Sequence, residues 1–159
     1  MKNAIELYTD GAASGNPGPG GFGVVLKYQN HRKEISGGFK RTTNNRMELL
    51  AVIVGLESLT NKLIPVEIYS DSKYVVDSIN LKWLQKWQHT GFKNKANVDL
   101  WLRFLKVYEP TKHKFIWVKG HAQNVENNRC DELAVMASRQ KNLPVDEGYG
   151  KPADHGLFE

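Results

Sequence analysis

The sequence predicts one α/β domain built on a mixed five-stranded sheet, with three antiparallel strands, two parallel strands and helices on both faces. Two observations lead to this class. Three strand-like runs fill the first forty residues, and helical periodicity then alternates with two short apolar strands. Strands joined by short turns pair antiparallel, whereas strands separated by a helix pair in parallel. The 159 residues have the length of one such domain.

The first three strands are predicted from alternation and turn residues. The first ends at Asp10, since apolar and polar residues alternate from Ala4 with the period of a half-buried strand. The Gly- and Pro-rich residues 11–20 are predicted to form a loop. A second strand over Gly21–Tyr28 and a third over Lys33–Phe39 then flank a polar turn, which indicates an antiparallel meander.

Helices and the last two strands follow from the change to helical spacing. Capping residues at 42–45 precede a helix of about four turns, and Ser72 is placed to cap a helix that ends near Asn80. The helical pattern continues without a break over 81–88. Further helices are predicted over 98–107 and 125–139, and the last two strands over 66–70 and 114–118. From Asn142 onward no periodicity is present, so we expect that segment to be mobile.

Composition narrows the function classes. A net charge of +5 favours a polyanionic partner such as nucleic acid. The single Cys130 cannot form an internal disulfide, which fits a reducing compartment, and we interpret it as a small buried residue without a catalytic role. No apolar run approaches the roughly 18 residues of a membrane span, and no export signal is present. We therefore expect a cytoplasmic protein that is a monomer, with no membrane contact and no obligate protein partner.

Four acids occupy positions that bring carboxylates together. Asp10 ends the first strand and Asp71 directly follows the fourth, so both would lie at the same edge of the sheet if these strands are parallel neighbours. Glu48 lies in the opening turn of the first helix, and Asp131 lies in the last helix. Converging carboxylates repel one another unless a cation neutralises them. All-oxygen ligands suit Mg²⁺ or Mn²⁺, and two such ions about 3.5–4 Å apart would support phosphodiester hydrolysis.

Each acid also has a purely structural interpretation. Asp10 could belong to a turn, Glu48 could complete a capping box with Asn45, and Asp71 could favour the dipole of the helix that follows it. Asp131 could pair with Arg129 or face solvent. Taken singly, these interpretations are the more common ones, so only the four acids together indicate a metal site.

Four segments, TDGAASGNPGPGG, TTNNRMELLA, SDSKYV and WVKGHAQNVENNRCDELA, each contain one of these acids. These segments and their order resemble bacterial type 1 ribonuclease H, and the resemblance extends from about Asn3 to Tyr149. The resemblance implies the ribonuclease H-like fold, with residues 1–149 as the catalytic domain and 150–159 as a flexible tail. It also implies an endonuclease that cuts the RNA strand of RNA/DNA hybrids without strong sequence preference, leaving 5′-phosphate and 3′-hydroxyl ends.

The same resemblance assigns roles to single residues. It implies that Asp10, Glu48, Asp71 and Asp131 hold two Mg²⁺ ions, for which Mn²⁺ can substitute, and that His121 assists proton transfer or product release. A histidine is suited to this because its ordinary pKa lies near 6.5. The positions that match the family's substrate contacts are Asn16 and Asn44 for the RNA strand, Arg41, Thr43, Asn97, Trp83 and Trp87 for the DNA strand, and Lys82, Lys86, Lys93 and Lys95 for a basic groove.

Two rival functions remain open at the level of sequence. A non-catalytic module could bind hybrids through the basic groove, although it would not need all four acids. Another nuclease or an integrase-like strand transferase could share the sheet and the acids. Such a protein would be expected to lack the Trp- and Lys-containing groove and the GNPGPGG loop that this chain contains.

Overall fold

A computed structural model describes residues 3–120 and 124–150. Its centre is a five-stranded sheet in the order β3-β2-β1-β4-β5, in which β1, β2 and β3 are antiparallel and β4 and β5 run parallel to β1. The predicted fold class is therefore confirmed. The strands are β1 Ile5–Ala13, β2 Gly18–Tyr28, β3 His31–Thr42, β4 Val66–Ser70 and β5 His113–Trp117.

The first strand differs from its prediction. Its parallel pairing with β4 ends at Tyr8 and Tyr69, but its antiparallel pairing with β2 continues to Ala13 opposite Gly20. Asp10 therefore lies inside β1 rather than at its end, and the predicted ten-residue loop shrinks to residues 14–17. Residues with weak intrinsic strand preference are held in the strand here by hydrogen bonds to β2.

Five helices complete the described fold. The two predicted caps are present, since Thr43 Oγ1 accepts a hydrogen bond from the Arg46 amide and Ser72 Oγ from the Val75 amide, each at 3.2 Å. Lys82 adopts a left-handed conformation at φ 62° and separates two helices that the periodicity had merged. The helices are α1 Asn44–Glu57, α2 Lys73–Asn80, α3 Trp83–His89, α4 Val98–Leu105 and α5 Val125–Ser138.

Helices cover both faces of the sheet. Leu7 and Val24 are fully buried in the larger core, which includes the apolar residues of α1. On the other face Tyr8 and Val25 pack with Cys130 of α5. Strand β1 is thus buried on both faces rather than half-buried, because α5 covers the face that its polar residues had suggested was open. In the described part of the chain no helix has both the length and the apolar character needed to cross a bilayer.

The C-terminal segment is more ordered than its composition suggested. Asp146 is buried, and Pro144 accepts a hydrogen bond from the Lys40 amide at 2.9 Å, which docks the segment beside β3. The expectation that the chain is mobile from Asn142 is therefore wrong for Pro144–Tyr149. These contacts join residues about a hundred positions apart, so no local pattern indicates them. Residues 151–159 of the predicted tail lie outside the described residues.

Candidate active site

Three of the four acids meet at the carboxyl edge of the parallel strands. Asp10 lies on β1 just beyond its last parallel pair with β4, Asp71 follows β4 directly, and Glu48 lies in the second turn of α1. Each contributes an oxygen to a set in which all ligand atoms lie within 4.8 Å of one another. The fold thus brings three of the four predicted carboxylates together at this edge of the sheet.

Close contact between α1 and β1 brings Glu48 to this edge. A side chain on Gly11 would collide with the backbone of Met47 and Glu48, so α1 approaches β1 only because position 11 has no Cβ. The Gly11 amide donates a hydrogen bond of 2.9 Å to Asp10 Oδ1, which orients that carboxylate. Gly11 thus sets both the distance from α1 to β1 and the direction of Asp10.

Asp131 lies beside the triad. It lines a small cleft together with Asp10, Asp71 and the backbone of Gly120, and it projects from α5 on the other face of the sheet. Its charge contributes to the raised pKa of Asp10. The pairing with Arg129 that we considered does not occur, since that guanidinium contacts Glu34 and Glu132.

The electrostatics of the triad are unfavourable for negative charge. The pKa of Asp10 is raised from 3.8 to about 7, chiefly by burial and further by the charges of Asp71 and Asp131, while hydrogen bonds with Glu48 and Gly11 lower it. Burial and the charges of Asp10 and Asp71 also raise the pKa of Glu48 well above its ordinary 4.5. The ionised carboxylates of the triad therefore repel one another, and a bound cation would relieve this repulsion.

The donor set fits a hard divalent cation. Glu48 Oε1 is inaccessible to solvent and has no hydrogen-bond partner among the described residues. A buried acceptor without a partner is costly, and a cation coordinated by oxygen would remove that cost. The capping-box interpretation of Glu48 also fails, because Thr43 caps α1 and the Glu48 carboxylate joins the triad.

The two predicted RNA-strand contacts lie together where the tip of the β1–β2 hairpin meets the start of α1. Asn16 Oδ1 accepts a hydrogen bond from the Asn44 amide at 3.0 Å, and Asn44 Oδ1 accepts one from the Ala13 amide at 2.6 Å. These bonds tie the loop to the start of α1, next to the triad.

The predicted DNA-strand contacts divide into two groups. Thr43 and Asn97 both contact Arg46, whose backbone amide donates to Thr43 Oγ1 and whose guanidinium donates to Asn97 Oδ1. In the other group Trp87 is half-buried against Trp101, with ring centroids 5.7 Å apart, and Lys95 lies over its ring. Trp83 is 38% exposed, and the side chains of Lys82, Lys86 and Lys93 are exposed as well.

The family model for RNase H matches residues 2–139. The chain belongs to the ribonuclease H family. It is a bacterial type 1 member and a ribonuclease, 58% identical to the Ribonuclease H of Desulforamulus reducens over 147 residues, which are 89% of this chain and 92% of that one.

Solved ribonuclease H structures share the fold. LC9-RNase H1, a type 1 RNase H with the type 2 active-site motif, superposes with a TM-score of 0.76 at 29% identity over 87% of this chain and 73% of the other. LC11-RNase H1, solved in complex with an RNA/DNA hybrid, has a TM-score of 0.59 at 29% identity over 84% of this chain and 95% of the other.

The ribonuclease H site contains one residue that sequence reasoning missed. Asn127 lies one helical turn before Asp131 and lines the same cleft. Its Nδ2 donates long hydrogen bonds of 3.4 and 3.5 Å to the carbonyls of Thr9 and Tyr69, so it joins the ends of β1 and β4. Its Oδ1 is buried without a partner among the described residues. The spacing of four from Asp131 was the available signal.

Replacing Asn127 should therefore impair the ribonuclease H site without unfolding the protein. Asn127→Asp removes the donors to both carbonyls and adds a charge beside three acids, so we expect activity to fall by about 10–100-fold. Steady-state rates over a range of Mg²⁺ concentrations measure this. Asn61→Asp, which adds the same charge in an exposed loop, is the control. Equal rates for the two variants would contradict the positional role of Asn127.

The raised pKa values predict how the stability of this ribonuclease H varies with pH when EDTA is present. Between pH 3.8 and about 7 the folded state holds a proton on Asp10 that the unfolded state has lost. The free energy of unfolding should therefore fall by about 4 kcal/mol as pH rises through this range, with about 2 kcal/mol of that fall between pH 5.5 and 7, and level off above it. Urea unfolding at pH 5.5 and 8 measures this. A higher stability at pH 8 would contradict the raised pKa.

His121, the remaining predicted site residue of this ribonuclease H, lies outside the described residues. Cys130 is buried, and burial raises the pKa of its thiol far above the ordinary value, so the thiolate is disfavoured. This agrees with the prediction that Cys130 is a packing residue.

Proposed function

We propose that the chain hydrolyses the RNA strand of RNA/DNA hybrids as an endonuclease and leaves 5′-phosphate and 3′-hydroxyl ends. The observation that carries the proposal is the triad of Asp10, Glu48 and Asp71, in which Glu48 Oε1 is buried without a partner among the described residues. The hybrid bound by the similar LC11-RNase H1 supports the choice of substrate. Residues 1–149, acting as a monomer, form the proposed catalytic domain.

Asp10, Glu48, Asp71 and Asp131 are the residues that would hold two Mg²⁺ ions. When bound, these ions would supply an activated water and stabilise the leaving oxygen. The protein's own part is to fix the four carboxylates on β1, α1, the end of β4 and α5, and to exclude solvent from Glu48 Oε1. His121 is the proposed group for proton transfer or product release.

The proposed substrate contacts explain a preference for hybrids. Asn16 and Asn44 would contact 2′-hydroxyls, which only the RNA strand carries. On the other strand, phosphates of the DNA would be bound by Arg41, Thr43 and Asn97. Trp83 and Trp87 would offer apolar faces to the DNA backbone, with exposed lysines beside them. Contacts to sugars and phosphates carry no base identity, so cleavage should show no strong sequence preference.

End-labelled duplexes test this proposal. A 5′-labelled RNA strand is annealed to DNA or to RNA, incubated with Mg²⁺ or with EDTA, and the product ends are identified by their reactivity with phosphatase and ligase. We expect internal cleavage of the hybrid alone, only with Mg²⁺, and none with Asp10→Asn. Binding of the hybrid without Mg²⁺-dependent cleavage would instead support a non-catalytic module, and cleavage by Asp10→Asn would contradict the assigned site.

A further inference from the structure

Arg46 is the largest buried cation of the described chain, with 2% of its side chain exposed, and it lies outside the carboxylate triad. Its guanidinium forms two hydrogen bonds with Asp146, at 2.8 and 3.0 Å, and two with Asp99, at 2.8 and 2.7 Å. Asp146 accepts a further hydrogen bond of 2.7 Å from Thr42 Oγ1. One side chain of α1 thereby joins the C-terminal segment to α4.

The same guanidinium also fixes a proposed DNA-strand contact. Nη1 of Arg46 donates to Asn97 Oδ1 at 3.3 Å, and Asn97 Nδ2 donates to the hydroxyl of Tyr74 at 3.1 Å. Both ends of the Asn97 side chain are therefore held, at a residue whose φ of 63° places it in the left-handed region. The orientation of Asn97 depends on Arg46, and that of Arg46 depends on Asp146.

A second link runs from the C-terminal segment to Arg41. The guanidinium carbon of Arg41 lies 5.2 Å from the centroid of the Tyr149 ring, the geometry of a cation–π contact. Arg41 is exposed and Tyr149 half-buried. A contact at this exposure adds little to folding stability, but it restricts a long side chain to which the described residues offer no other hydrogen bond or ion pair.

Hydrogen bonds and close packing fix the position of the C-terminal segment on the domain. Pro144 accepts from the Lys40 amide at 2.9 Å, and the Tyr149 amide donates to the carbonyl of Asp146 at 3.1 Å. A side chain on Gly148 would collide with the Asp99 carboxylate and the Arg46 guanidinium. The position of the Tyr149 ring is thus set by the same ion-pair cluster that holds Asn97.

We propose that Pro144–Tyr149 is a positioning element for the DNA strand: Tyr149 orients Arg41 directly, and Asp146 orients Asn97 through Arg46. This inference rests on the proposed function, since it assigns Arg41 and Asn97 to DNA phosphates. Restricting these side chains before binding lowers the entropy that the complex must lose, so the segment increases affinity without touching the reacting atoms. Tyr149 and Asp146 are therefore positioning residues.

Tyr149→Leu tests the direct link, with Tyr149→Phe as its matched control. We expect Tyr149→Leu to raise KM for a short RNA/DNA hybrid by about three- to tenfold with kcat changed less than twofold, because one phosphate contact loses its pre-orientation. Tyr149→Phe keeps the ring face and should retain the wild-type KM. Equal KM values for the wild type and Tyr149→Leu would overturn the proposal, as would a parallel loss of kcat.

A double-variant cycle separates positioning of Arg41 from a general structural effect. If Tyr149 acts through Arg41, Tyr149→Leu should leave the KM of an Arg41→Ala variant unchanged. A further rise in KM in the double variant would overturn the link. If the wild type fails to cleave hybrids, the proposed function itself fails, whereas normal cleavage with an unaltered KM in Tyr149→Leu removes only this inference.

Discussion

Asp10→Asn is expected to lower the rate of RNA/DNA hydrolysis by about 10³-fold, since it removes several kcal/mol of the charge stabilisation that a metal-dependent phosphodiesterase supplies. Asp10 is the acid whose pKa is affected by every other carboxylate of the site: Glu48, Asp71 and Asp131. Single-turnover cleavage at saturating Mg²⁺ measures the loss. Asp77→Asn removes the same charge from α2, away from the site, and should cleave normally.

The same Asp10→Asn substitution should stabilise the protein when EDTA removes divalent cations. At pH 8 it deletes a buried negative charge close to two other carboxylates, so the free energy of unfolding should rise by about 2 kcal/mol, or several degrees in Tm. Added Mg²⁺ should stabilise the wild type more than the variant. A variant that is less stable than the wild type in EDTA would show that the carboxylates do not repel one another in the folded state.

Arg46→Leu is expected to have the largest effect on stability, a loss of about 3–5 kcal/mol, because it leaves the carboxylate of Asp146 buried without its cation. Although burial disfavours the charge of Arg46, its hydrogen bonds with Asp99 and Asp146 raise the pKa of the guanidinium, so the cation persists. Urea unfolding at pH 7 measures the change. Arg46→Lys should recover only part of it, since an ammonium cannot form both bidentate pairs.

Arg103 provides a matched control for Arg46. Its guanidinium also donates two hydrogen bonds to one carboxylate, that of Glu57, at 2.8 and 2.6 Å, but its side chain is 45% exposed. Arg103→Leu should therefore cost about 1 kcal/mol or less. If the two leucine variants lose similar stability, burial is not what makes the Arg46 cluster important.

Local features of the sequence were sufficient for the caps and most helix bounds. The hydroxyls of Thr43 and Ser72 cap the helices for which their positions were predicted, and β4 spans the predicted residues 66–70. Periodicity and capping depend on neighbours within a few residues, and these interactions are readable along the chain. The errors at β1 and at Lys82 arose where a distant strand or a single left-handed residue determined the backbone.

The sequence also predicted the acids of the candidate site but not the amide beside them. Asp10, Glu48 and Asp71 were selected from their positions relative to predicted elements, and the fold gathers them within 4.8 Å. Asn127 was missed because an amide has no charge pattern to mark it, and its role depends on the carbonyls of two strands that lie 58 and 118 residues away. Four resembling segments also identified the family before any geometry was known.

By itself the sequence determined which acids this protein has, on which elements they lie, and to which family the chain belongs. Only the tertiary structure decided that Gly11 lets α1 approach β1, that Glu48 Oε1 is buried without a partner among the described residues, and that Asp146 binds Arg46 across 100 positions. The physical reason is the separation along the sequence over which each interaction acts. Propensity and periodicity act between near neighbours, whereas burial, repulsion between carboxylates and ion pairing act between residues that only the folded chain brings together.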